Sequence, residues 1–146
     1  MNIQCLSHDT TNIISVDDYK LLFNMIPYNL NDYIGLYIDT YTLSILNGHP
    51  IGFVIDDTSV FEVISGTTHG EPIEVEGILV QHYTGVIVIR VKKDFGTMSY
   101  NCLHHGYMGG YNRFIFTQIC QAPEPEPEPE SPEPAPEPEP EPEPEP

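Results

Sequence analysis

Two different hydrophobic rhythms run along this chain. Between Ser15 and Pro27 the apolar positions Tyr19, Leu22, Phe23 and Ile26 recur at helical spacing. Ser15 is placed to cap the first turn, and Asp17 and Asp18 suit the positive end of a helix dipole. Pro27 closes the element by removing a donor and restricting the residue before it. The spacing therefore predicts one short helix. From Ile34 onward the period is two. Ile34, Leu36 and Ile38 alternate with Gly35 and Tyr37, and Tyr41, Leu43 and Ile45 alternate with Thr42 and Ser44. Asn47-Gly48 offers a tight turn, after which Pro50 to Ile55 reads as a returning strand ending at Asp56 and Asp57. Val60 to Ile64 is a further strand. Ile73 to Tyr83 and Val86 to Lys92 flank Thr84-Gly85 and read as a second hairpin. Thr97 to Leu103 and Phe114 to Cys120 complete the series, and "GVIVIRV" reads as the central strand with two apolar faces.

Short strands with a turn signal every eight to twelve residues predict a mainly β fold. The expected form is an antiparallel β-barrel or sandwich with one short N-terminal helix. The first twelve residues are polar and read as irregular.

The last stretch follows other rules. Pro123 to Pro146 alternates proline with glutamate and holds ten of the 22 acidic residues and twelve of the 15 prolines. Proline fixes φ and pushes its predecessor toward extended conformations, so polyproline II is expected there. At ~3.1 Å per residue such a rod reaches roughly 75 Å. It cannot bury a core. The chain thus divides into a β-rich domain, residues 1–121, and a disordered acidic tail, residues 122–146.

The charge is lopsided. The whole chain carries −17, and the body alone has twelve acidic against five basic residues. A protein that repels phosphate is not expected to bind nucleic acid or an anionic membrane surface. The expected partner is a protein of basic character. No apolar stretch approaches a membrane span, and the first residues do not form a signal peptide. Three cysteines at wide spacing, Cys5, Cys102 and Cys120, do not look like a disulfide framework, so reduced thiols and an intracellular setting are expected.

Candidate chemistry is thinly spread. Cys102, His104, His105 and Cys120 lie close in sequence and are the residue types zinc takes, with His82 available from a neighbouring strand. The plainer account is that the cysteines pack as small apolar residues. Asp56, Asp57, Glu62, Glu74 and Glu76 are candidate bases, and His49, His69, His82, His104 and His105 candidate proton relays. Glu74 and Glu76 fall on one side of a predicted strand. None of these matches a known catalytic arrangement, and neither enzyme activity nor a cofactor is expected.

Interaction signals are clearer. Tyr107 and Tyr111 flank a glycine-rich loop and are candidate contact residues. Arg90, Lys92 and Lys93 gather three of the five cations within four residues, where the acidic tail is able to fold back on them. In the tail, Pro129 and Pro132 supply a Pro-x-x-Pro spacing, and Ser131-Pro132 is a candidate phosphorylation site. An edge strand such as Val60 to Ile64 offers a route to oligomers.

Two families share features with the chain. The strand series from Ile34 to Cys120 followed by the Glu/Pro tail resembles the baculovirus telokin-like protein 20 group. That resemblance implies an antiparallel β-barrel and a viral, non-enzymatic protein. "ISVDDYKLLFNMI" resembles the second helix of profilin, "LNGHPIGFVIDD" the strand pair after it, and "EGILVQHYTGVIVIRV" a later hairpin. That resemblance implies actin and polyproline binding. The expected function is therefore a non-enzymatic interaction or structural protein with an acidic spacer. A profilin-like binder and a small metal-assisted hydrolase are the alternatives.

Overall fold

The structure is a computed structural model that describes residues 2–17, 20–25, 32–46, 48–108 and 110–122. The expectations for Pro129, Ser131 and Pro132 lie outside the described residues. In chain order the strands are β1 (Asn2–Cys5), β2 (Asn12–Asp17), β3 (Lys20–Phe23), β4 (Asp32–Leu36) and β5 (Asp39–Ile45). There follow β6 (Ile51–Val54), β7 (Phe61–Val75), β8 (Ile78–Val91), β9 (Thr97–Cys102) and β10 (Phe114–Phe116), then a 3₁₀ turn at Gln118–Cys120. The protein is mainly β. Its sheet is mixed rather than antiparallel, because β1–β4, β10–β4 and β2–β5 pair in parallel.

The strand order is β1-β4-β10-β9-β6-β8-β5-β2-β3, with β7 on the other side of β8. β8 is the hinge of the architecture. Its first half pairs with β6 at His82 and Tyr83, and its second half pairs with β5 from Gly85 to Val91. Two wings therefore leave the same edge of one long strand and curl toward each other as a half-barrel. The loop after β9 spans the gap between them. Leu21 of β3 donates its N–H to the Met108 carbonyl, and Tyr100 of β9 donates to Gly110. Gly110 lies flat on the Tyr100 ring, where a β-carbon would collide.

The alternation read from β5 holds, since Tyr41, Leu43 and Ile45 are buried. Ile87, Ile89 and Val91 of β8 face them from the neighbouring strand. The other face of that central strand is not buried: Val86 is 59% exposed and Arg90 is open to solvent. Phe114 sits at the middle of the aromatic core, 5.3 Å from the Tyr100 ring, 5.4 Å from Phe23 and 5.9 Å from Phe53.

Several sequence expectations are overturned. Among the described residues the predicted helix is not found: Ser15 to Asp17 lie in β2, and Lys20 to Phe23 form β3. Ile13, Ile14 and Val16 are β-branched and favour strands, and the edge of β5 accepts Asn12 to Ile14 in register with Leu43 to Ile45. The segment that resembles a profilin helix is thus a strand pair. β5 and β6 do not form a hairpin, because β8 lies between them. The turn of the long arm falls at Glu76-Gly77, and β8 runs straight through Thr84-Gly85. The polar N-terminus is strand β1, paired with β4.

Two polar features hold this frame. Buried Asn12 accepts from the Ser7 N–H and the Asn24 side-chain amide, and donates to the Ser7 and Thr42 carbonyls. Tyr41 accepts from the Tyr37 N–H and donates to the Tyr37 carbonyl, and burial pushes its phenol up to about 12. The expectation of three reduced thiols is also corrected. Cys5 and Cys120 are joined by a disulfide with Cα atoms 5.3 Å apart. Only Cys102 is a free thiol. Gly35 of β4 passes beneath the bond, where a β-carbon would strike Cys120 Sγ and the Ile3 side chain.

A histidine–cysteine cluster as candidate metal centre

The end of β9 and the segment before β6 meet in a fixed way. Cys102 is in register with Ile51, so the chain just before β6 lies beside the chain leaving β9. Cys102 and Gly106 exchange N–H···O=C bonds of 2.6 and 3.0 Å, closing a tight loop over Leu103 to His105. Leu103 donates its N–H to the Pro50 carbonyl, which ties that loop to the residue following His49. The outcome is a cluster of three donors. His49 Nδ1 lies 3.9 Å and His105 Nδ1 3.7 Å from Cys102 Sγ. All three donor atoms fall within 4.8 Å of one another. Cys102 is buried, His49 half-buried and His105 exposed, so the thiol is screened while one imidazole meets solvent. Met108 follows on the same loop and is 7% exposed.

Sequence reading nominated Cys102, His104, His105 and Cys120 for a metal. The structure brings only Cys102 and His105 of these together. Cys120 is spent in the disulfide, and His104 turns to His69, with ring centroids 6.1 Å apart. The missing partner is His49, which the sequence offered only as a proton relay. The Cys-x-x-His spacing was legible. The β6–β9 pairing that delivers His49 was hidden behind the assumed β5–β6 hairpin.

His82 is close by but differently placed. Its Nε2 meets Asn101 Oδ1 at 2.9 Å in the interior. Burial holds its pKa below the ordinary value, against the opposing pull of its bond to Asn101.

The remaining candidates do not converge. Asp57 accepts from both the N–H and the hydroxyl of Ser59, which lower its pKa and mark it as a turn-former. Asp56 lies exposed in the same connection. Glu62 holds Lys92 at 3.2 Å and Arg90 at 3.8 Å, so a body carboxylate already shares the basic island, with Lys93 exposed beside it. Glu74 pairs with Leu79 one residue before the end of β7, while Glu76 sits in the turn with φ 51°, so the two are not a strand-face pair. Tyr107 and Tyr111 pack edge to face at 5.4 Å. Val60 lies in the turn before β7, and β7 is an edge strand among the described residues, interrupted by register shifts at Val63/Ser65, Ser65/Thr67 and His69/Ile73. Such irregularities blunt edge-to-edge pairing. No helix among the described residues is long and apolar enough to cross a membrane.

No protein-family model matches the chain, and no curated protein matches it. Among solved structures, it is similar to a multi-copper oxidase from Pediococcus acidilactici at 14% identity and a TM-score of 0.40. The match spans 80% of this chain and 26% of that one, and a likeness of this strength carries no argument about function.

Proposed function

We propose that the protein is a non-enzymatic, mononuclear copper-binding module that passes single electrons. The observation that carries this reading is the convergence of His49, Cys102 and His105 donors within 4.8 Å. Two imidazoles and one thiolate form a soft, mixed donor set of the kind that suits copper and zinc. Two imidazoles and a cysteine are the strong ligands of copper electron-transfer centres, which often add a weak thioether, and the buried Met108 lies three residues beyond His105 in the chain. The thiolate is buried and His105 is exposed, so electrons enter and leave by the His105 edge.

The alternative of a zinc hydrolase needs an open fourth position beside a substrate cleft. A groove of about 270 Å³ lies between β6 and the β7–β8 arm, lined by Phe53, Phe61, Leu79 and Tyr83, and none of the three donors borders it. That groove does not place a substrate beside the three donors. The test is reconstitution with copper(II). The expected result is one tightly held ion and an intense visible thiolate-to-copper band, absent in Cys102→Ser. A colourless protein that takes up equal copper with and without the Cys102 thiol refutes the reading.

A second reading is carried by the composition of Pro123 to Pro146. The tail acts as an acidic spacer that tethers the body to a basic protein partner, as in a viral interaction protein. Deleting residues 122–146 tests it, through loss of salt-sensitive binding to that partner. The Cys5–Cys120 bond favours folding under oxidising conditions over the reducing cytosol.

A further inference from the structure

Five of the six histidines gather at one end of the molecule, and the thiolate centre uses two of them. His69 lies on β7 directly opposite His82 of β8, and His104 lies in the loop after β9. The β7–β8 arm folds over this loop, so residues 35 positions apart in sequence face each other. Their rings stand 6.1 Å apart, nearly perpendicular at 84°. Both side chains are exposed, and neither ring has a hydrogen-bond partner among the described residues. His104 is in turn 6.4 Å from His105, which makes a line of imidazoles leading to Cys102.

We propose that His69 and His104 form a second, weaker position for a divalent transition-metal ion beside the thiolate centre. Two imidazoles that share one ion at metal–nitrogen distances of ~2.0–2.1 Å place their ring centres roughly 5–6 Å apart. The observed separation reaches this with a small side-chain adjustment. Imidazole suits copper, nickel and zinc, and copper(II) binds most tightly in that series. Water completes the sphere. His82 does not join, because its ring is fully buried and Asn101 holds its Nε2. A chain of net charge −17 draws cations toward it. With no thiolate among its ligands, this position lacks the visible band expected of the first. It is separate from the copper-thiolate reading and stands whether or not Cys102 binds metal.

The experiment is calorimetric titration of the full chain with copper(II), and separately with zinc(II), followed in parallel by visible absorption. Two equivalents are expected, the weaker one adding no intense thiolate-to-copper band. His69→Ala, on an exposed strand, loses the weaker equivalent while the tighter one is retained. His104→Ala gives the same loss from the other element. Circular dichroism of both variants confirms the β fold. A weaker equivalent that survives both substitutions places that ion elsewhere, on the tail glutamates for example, and overturns the proposal. A chain that binds a single equivalent, unchanged in His69→Ala and His104→Ala, overturns it as well.

Discussion

Breaking the Cys5–Cys120 bond is the most informative perturbation of stability. The cross-link joins residues 115 apart in sequence. Closing a loop of that length removes roughly 16 cal/mol/K of unfolded-state entropy, or about 5 kcal/mol at 25 °C. Realised values commonly fall at 2–5 kcal/mol, so about 3–5 kcal/mol is expected here. The native side points the same way. β1 has one partner, β4, and pairs over only four residues that are partly or fully exposed. One hydrogen bond, His8 Nε2 to the Cys120 carbonyl at 2.6 Å, also ties the N-terminal segment to the last turn. A domain of this size gains or loses roughly 3–5 °C per kcal/mol, so Cys5→Ala/Cys120→Ala is expected to melt about 10–20 °C lower. The assay is thermal unfolding followed by circular dichroism, with and without reductant, plus alkylation of the denatured chain. Without reductant one thiol, Cys102, is expected to react; with reductant, three. Three reactive thiols without reductant, or a double variant melting within about 2 °C of the parent, would refute the reasoning.

Three more expectations follow from the same structure. His82 is held below its ordinary pKa by burial, so the unfolded chain binds a proton that the native one refuses. Stability is accordingly constant above the unfolded value near 6.5 and falls as pH drops below it, and His82→Gln flattens that slope in urea titrations between pH 7 and 5. Asn12→Ala leaves the Ser7 N–H and the Ser7 and Thr42 carbonyls short of a partner in a buried place, which costs about 2–4 kcal/mol by chemical denaturation. Copper at a hundred times its dissociation constant is expected to stabilise the chain by about 2.7 kcal/mol, and His49→Ala removes most of that gain in a melting-temperature assay.

How much of this was legible beforehand depends on the range of the interaction. The mainly β character was, because period-two burial is local: Tyr41, Leu43 and Ile45 announce their shared face within five residues. The helix expectation failed for the converse reason. Tyr19, Leu22, Phe23 and Ile26 fit a 3.6-residue period by coincidence, while the edge of β5 that converts Asn12–Ile14 to strand lies some thirty residues away. The Cys-x-x-His half of the metal centre could be read, since the loop after β9 is local. His49 could not, because a strand pairing across fifty residues brings it in.

The sequence by itself determined the alternating faces, the split between a β-rich body and an acidic proline-rich extension, and the residue types able to bind metal. These are properties of neighbours in the chain, set by backbone geometry and side-chain chemistry. Only the tertiary structure decided which cysteines pair, which strands meet β8, and which histidines stand beside Cys102. Those outcomes turn on sheet register, where a shift of one residue moves every side chain to the opposite face.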